Sequence, residues 1–100
     1  MLKHSKTQLE KLIRQRARTD AAGIVFTSHA KKRMRERNIT MDMALDCLRN
    51  GVIQHEPETN AKYGTLECLM ERYTAGYNIG LIVALSGDNP GLIVITAMRM

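Results

Sequence analysis

Aromatic side chains are scarce in this 100-residue chain, which has no tryptophan, one phenylalanine and three tyrosines. Proteins that bind single-stranded nucleic acid by stacking bases display several aromatic rings, so the composition argues against that class. No apolar run is long enough to cross a bilayer, and we expect no signal peptide, because the first residues lack the charged-apolar-small pattern. We therefore expect one cytoplasmic domain without membrane contact, whose core is built from leucine, isoleucine, valine, methionine and alanine.

Only two cysteines are present, Cys47 and Cys68, and neither belongs to a CxxC pair or lies near a histidine at metal-ligand spacing. Both lie among apolar residues, which predicts buried thiols in a reducing compartment. A nucleophilic pair of Cys47 and His55 has no positional support. The sequence also lacks a glycine-rich phosphate loop. We expect neither a metal nor a cofactor.

Positive charge is concentrated in the first part of the chain. Residues 1–37 contain eleven lysines and arginines against three acidic residues, a balance of +8, whereas residues 38–100 contain four against seven, a balance of −3. Together these balances give the net charge of +5. A one-sided basic surface attracts polyanions. We expect the partner to be either a nucleic acid or an acidic protein.

The densest run of charge is the segment 28–40, SHAKKRMRERNIT. Ser28 is a favoured N-cap residue and Asn38 is typical of a helix end, so the segment is predicted to be helical between them. Residues spaced at i, i+4 and i+8 share one face of such a helix; here they are His29, Arg33 and Arg37. Three further cations point in other directions, namely Lys31, Lys32 and Arg35.

This cationic helix has two interpretations. Lysine and arginine favour helices and solubility, so the charge can simply form a solvated face. Alternatively, guanidinium groups match phosphate oxygens in geometry, and a neighbouring imidazole transfers protons near neutral pH. Cleavage of a phosphodiester requires such a pair, because it needs a proton shuttle beside a group that stabilises the negatively charged transition state.

Residues 2–18 show an earlier helical pattern, with Ser5 as N-cap and a thin apolar stripe. A helix with so little apolar surface packs weakly by itself. Three outcomes are open: it lies across the sheet, it exchanges with a second subunit in a homodimer, or it frays. We treat residues 1–23 as a basic helix and linker, and residues 24–100 as the remainder of a single domain.

The remaining chain predicts an α+β fold. Residues 24–27 form a short strand pattern, and a helix from Thr40 to Gly51 follows the cationic helix closely enough to make a helical hairpin. The apolar period then changes from 3.6 to 2, which predicts strands at 52–57, 63–73, 77–85 and 91–98, with turns at 75–76 and 86–90. Helices followed by hairpins indicate a three- to four-stranded antiparallel sheet with the helices on one face.

The order of these parts resembles an uncharacterised bacterial domain family whose members share the motif HA..R...R.I and close with a V.T strand. The motif residues here are His29, Ala30, Arg33, Arg37 and Ile39, and the closing strand contains Thr96. The resemblance covers roughly residues 24–99 and leaves out the first helix. That family is placed beside the RelE/ParE/BrnT-type toxins, which are small basic α+β proteins paired with antitoxins.

The resemblance implies a RelE-like fold and a toxin that cleaves RNA without a metal, on or off the ribosome, with an acidic antitoxin-like protein as partner. It also implies that His29 is the acid/base and Arg33 the phosphate ligand, with Arg72 and Thr96 completing the site from the sheet. The expected nucleic-acid contacts are Lys31, Lys32, Arg35, Arg37 and Arg99. Related toxins place a tyrosine or histidine near the C-terminus, whereas Arg99 can act there only as an electrostatic group.

A non-enzymatic alternative stays open, because a domain with the same scaffold can bind nucleic acid or an acidic protein without cleaving anything. Each candidate residue then has a structural explanation. His29 would contact its own first turn, Arg33 and Arg37 would pair with acids such as Glu36, and Thr96 would serve as a strand former. Arg72 would balance the acidic side chains near it on its strand.

Overall fold

The computed structural model describes residues 5–86 and 91–100. It contains three α-helices, namely α1 (Lys6–Thr19), α2 (Ser28–Glu36) and α3 (Met41–Asn50), and a 3-10 turn at Ala21–Gly23. Its six strands are β1 (Ile24–Phe26), β2 (Val52–Ile53), β3 (Glu58–Asn60), β4 (Thr65–Thr74), β5 (Tyr77–Ser86) and β6 (Leu92–Arg99). The α+β class is confirmed.

Two helices begin where the sequence predicts. Ser5 caps α1 because its hydroxyl accepts a hydrogen bond from the Gln8 backbone N–H, and the Ser5 backbone N–H donates in turn to Gln8 Oε1. Thr40 caps α3 in the same way through the Met43 N–H. The predicted first helix includes residues 2–4, which lie outside the described residues. The predicted turn at 86–90 also lies outside them at positions 87–90.

The cap of α2 is Thr27, one residue before the predicted Ser28. Thr27 is extended, with φ −65° and ψ 162°, and its hydroxyl accepts the Ala30 N–H. It is held extended because its own N–H donates to the Val94 carbonyl of β6, at 3.1 Å. Asn38, with φ 53°, ends the helix as predicted. The Ile39 N–H then bonds back to the Met34 carbonyl, as left-handed helix ends commonly do.

The sheet is larger than the expected three- to four-stranded antiparallel sheet, and it is mixed. Its strand order is β1-β6-β5-β4-β2. Strand β3 also pairs with β4, on the same edge of β4 as β2. All pairs are antiparallel except β1 with β6, which run parallel with Ile24 opposite Leu92. The β4–β5 turn lies at Ala75 and Gly76 as predicted, and both residues have positive φ.

The helices cover one face of this sheet. The core contains Leu9, Ile13 and Ala17 of α1, Ala30 and Met34 of α2, four residues of α3, and alternate residues of the strands such as Met70, Leu81 and Val94. The intervening strand residues point to the opposite side and lie outside that core cluster. We call this side the open face. One extra residue of β6 between Val94 and Thr96 forms a bulge opposite Ile82 and Val83.

Helix α1 packs within its own chain rather than fraying. In addition to its buried apolar residues, Arg14 donates to the Gly51 carbonyl at 2.6 and 2.9 Å, which satisfies a free acceptor at the end of α3. Glu10 accepts the Ile53 N–H of β2 at 2.6 Å. The apolar stripe of α1 is therefore already buried. The homodimer through this helix stays a prediction.

Candidate nucleic-acid interface

Three cations lie on the surface of α2 away from the acidic side chains that the structure describes. Lys31, Lys32 and Arg35 are all exposed, because Ala30 and Met34 turn the apolar side of the helix toward the core. No ion pair joins any of them to an acidic side chain within residues 5–86 and 91–100. Their charges are free to attract a polyanion.

His29 lies in the first turn of the same helix and is also exposed. Within the described part of the chain, its ring makes no hydrogen bond or ion pair. The turn that carries it is fixed, because the Thr27 hydroxyl donates to the Ile95 carbonyl at 3.0 Å while accepting the Ala30 N–H. His29 is therefore presented to solvent from a rigid backbone.

The two other members of the predicted row share one carboxylate. Arg33 Nη1 lies 2.9 Å from Glu36 Oε1, and Arg37 Nη1 lies 3.8 Å from the same oxygen. All three side chains are more than a third exposed, so these ion pairs add little to stability. Two arginines with one glutamate still leave one net positive charge beside His29. Arg37 follows the last helical residue and acts as the C-cap of α2.

Arg72 is engaged in a different part of the fold. Its Nε lies 3.1 Å from Asp46 Oδ2 of α3, on the side of the sheet that the helices cover. Partial burial alone would raise the pKa of Asp46, but hydrogen bonds from Thr74, Arg72 and Asn50 outweigh it and hold this pKa below its usual value. Arg72 thus stabilises the contact between β4 and α3.

Thr96 and Arg99 lie on opposite sides of the sheet, because Arg99 is in register with Ile79 of the core. Thr96 is in register with Ile82 on the open face, opposite the side that carries Arg72. Arg99 lies over the ring of Tyr77 with its guanidinium carbon 3.9 Å from the ring centre, a cation–π contact. The sheet therefore places Arg72 and Thr96 on opposite faces. The exposed cations and His29 of α2 are the part of the predicted site that the structure brings together.

Helix α1 carries two exposed cations that were not among the expected contacts. Lys11 and Arg18 of α1 line a shallow surface groove together with Arg14, Gln15 and Thr19. Arg18 also donates to the Asn50 side chain at 3.0 Å. The charge balance of residues 1–37 was the signal that pointed to them.

A protein-family model described as a domain of unknown function, DUF4258, matches residues 26–99. The chain belongs to the DUF4258 family. Neither the curated proteins nor the solved structures contain a match to the chain.

The DUF4258 region begins in β1 and ends in β6. It contains all nine predicted site residues, and α1 lies outside it although α1 contributes Leu9, Ile13 and Ala17 to the core. The extent of the match agrees with the residues that carry the resemblance to an uncharacterised domain family.

The DUF4258 chain has no cluster of three or more metal-ligating side chains within its described residues. Cys47 and Cys68 are buried, as expected, and burial raises the pKa of Cys47 to about 12 and that of Cys68 to about 11. Cys47 Sγ instead donates to the Met70 carbonyl. Neither thiol is suited to nucleophilic chemistry near neutral pH. No described helix is long and apolar enough to cross a membrane.

Proposed function

We propose that this DUF4258 protein binds RNA through the exposed cations of α2. The supporting observation is the contrast among its candidate basic residues. Arg33, Arg37, Arg72 and Arg99 each contact a carboxylate or an aromatic ring of the chain itself. Lys31, Lys32 and Arg35 have no such partner among the described residues and lie within two turns of one helix.

RNA is the expected polyanion because the sequence resembles a domain family that is placed beside the RelE/ParE/BrnT-type toxins, many of which cleave RNA. Phosphate contacts from lysine and arginine give affinity that falls steeply with salt and depends little on sequence. An acidic antitoxin-like protein would be attracted by the same charges, and would compete with RNA for them. Both partners fit a toxin-like role for the domain.

The test is fluorescence anisotropy with a labelled single-stranded RNA at several salt concentrations. Each of Lys31→Ala, Lys32→Ala and Arg35→Ala is expected to weaken binding and to reduce the salt slope by about 0.7 per lost contact. Lys62→Ala is the matched control, because Lys62 is exposed in the β3–β4 turn, where it lies over the ring of Tyr63. Equal losses from Lys62→Ala and Lys31→Ala would show that only net charge matters and would refute the α2 surface.

Metal-independent RNA cleavage is the second candidate function. The observation that favours it is His29, which is exposed in the first turn of α2, four residues before Arg33. In this chemistry the ribose 2′-hydroxyl attacks the adjacent phosphorus while the 5′-oxygen leaves, so the protein supplies proton transfer and charge stabilisation. His29 would move the protons and Arg33 would stabilise the phosphoryl oxygens.

Cleavage is tested by incubating the protein and its His29→Ala variant with total RNA in EDTA, and again in a translating extract to include ribosome-dependent activity. The nuclease hypothesis expects fragments from the wild type only, with RNA affinity nearly unchanged in the variant. Intact RNA under both conditions would reject the nuclease hypothesis. It would leave the binding function to be decided by the anisotropy series.

A further inference from the structure

The open face of the sheet has an apolar centre. The outward residues of β5 and β6 include Ile82, Ile93 and Met98, and Leu69 lies beside Ile82 on β4; all four are partly exposed. None belongs to the core cluster beneath the helices. Sheets with one solvated face usually alternate apolar inward residues with polar outward ones. Strands β5 and β6 carry apolar residues on both sides, although Thr96 is a polar outward residue opposite Ile82. The apolar outward side chains need an explanation other than the core.

The apolar side chains of the open face converge at Gly80. A Cβ at this position would lie 2.9 Å from Met100 Sδ, 3.0 Å from Leu69 Cδ1 and 3.3 Å from Met98 Cγ. The three side chains therefore gather over a strand position that has no side chain of its own. Beyond this centre, Val25 of β1 continues the apolar surface and is 54% exposed.

The charged residues at the described outward strand positions are all negative. Glu58 is in register with Glu67, and Glu71 follows on the same side of β4, about 13 Å from Glu67 along the strand. No lysine or arginine occupies an outward strand position among the described residues, although the whole chain has 15 of them. Glu71 Oε2 is buried without a hydrogen bond in the described structure, 3.7 Å from His55 Nε2.

Charge and burial together exclude RNA and a second copy of the chain as occupants of the open face. RNA phosphates would be repelled by the glutamates, so this surface is distinct from the cations of α2. Two copies joined through their open faces would bring together the glutamates of both without a cation to pair them. A second copy docking its basic helices would offer no apolar surface, because Leu9, Ile13, Ala30 and Met34 are buried in its own core.

We propose that the open face docks a basic amphipathic segment of another protein. Its apolar side chains would cover Leu69, Ile82 and Met98, and its lysines or arginines would pair with Glu58 and Glu67. Apolar burial would supply most of the affinity, and the charge pairs would set orientation and partner choice. This inference does not rest on RNA binding.

The test uses two synthetic helical peptides with the same apolar pattern, one built from leucine and lysine and the other from leucine and glutamate. Binding to the ¹⁵N-labelled protein is followed by NMR. We expect the lysine peptide to shift amides of β4, β5 and β6 and to bind at least about tenfold more tightly than the glutamate peptide. Ile82→Thr, which keeps a β-branched strand former, and the double variant Glu58→Lys with Glu67→Lys should each weaken the lysine peptide about tenfold.

Asp42→Lys is the matched control, because Asp42 is an exposed acid on α3, away from the open face. It should leave the affinity of the lysine peptide within about twofold, and circular dichroism confirms that each variant is folded. Equal affinity for the two peptides, shifts confined to the helices, or no binding up to about 1 mM would overturn the proposal. A wild-type dimer that Ile82→Thr dissociates would overturn it in favour of a second copy.

Discussion

The Thr27 hydroxyl is expected to stabilise the start of α2, and the variant Thr27→Val tests this. Valine keeps the branched shape and strand preference of threonine but removes the hydroxyl. The loss of the cap to the Ala30 N–H costs about 1 kcal/mol, and the loss of the hydrogen bond to the Ile95 carbonyl costs about 1 kcal/mol more. The free energy of unfolding should therefore fall by about 2 kcal/mol.

For a chain of 100 residues, this loss corresponds to a melting temperature lower by about 8–16 °C. Thermal and urea unfolding followed by circular dichroism measure both quantities. Ser28→Ala is the control, because Ser28 is exposed and its side chain makes no hydrogen bond within the described structure. Thr27→Ser should restore most of the stability. If Ser28→Ala costs as much as Thr27→Val, or if Thr27→Val is neutral, the assigned cap is wrong.

Three other substitutions test the fold. Ile13→Ala should lower the free energy of unfolding by about 3 kcal/mol in a single urea transition, whereas an unchanged midpoint would show that α1 does not share the core. Because the folded pKa of Asp46 lies below its ordinary value of 3.8, its charge stabilises the fold above that pH, and this contribution is lost as the pH falls through the folded pKa. Asp46→Asn should therefore flatten the fall of melting temperature in acid, and an unchanged acid profile would contradict this. Ala75→Asn should raise the melting temperature by a few degrees, because asparagine tolerates positive φ better than alanine; a lower value would argue against that backbone.

The sequence was sufficient to predict those helix ends and turns that depend only on residues close together in the chain. Thr40 caps α3, and Ala75 with Gly76 makes the tight turn. Gly51 ends α3 at the predicted place, but not because the backbone there needs the positive φ that glycine commonly adopts at helix ends. Its φ of −72° suits any residue, and a side chain there would collide with the Cys47 carbonyl oxygen.

Long-range pairing explains what the sequence did not show. Thr27 and Ser28 are both favoured N-cap residues. Thr27 is the cap because its hydrogen bond to the Val94 carbonyl of β6 holds it extended. Strand β1 has only three residues, which is too short for its apolar pattern to show that it pairs in parallel with β6. Arg72 pairs with Asp46, 26 residues away on another element, rather than with an acid of its own strand. The faces of the sheet then separate Arg72 from Thr96.

The pairing of β1 with β6 also has a consequence for biosynthesis. Thr27 and the Ile95 carbonyl that it binds are 68 residues apart, so neither β1 nor the first turn of α2 can reach its final position until β6 has left the ribosome. Pairings this distant in sequence slow folding, because the entropy of closing the loop is lost before the stabilising contacts form. The nascent chain therefore exposes its cationic helix before the sheet is complete, at a stage when it lies close to ribosomal RNA.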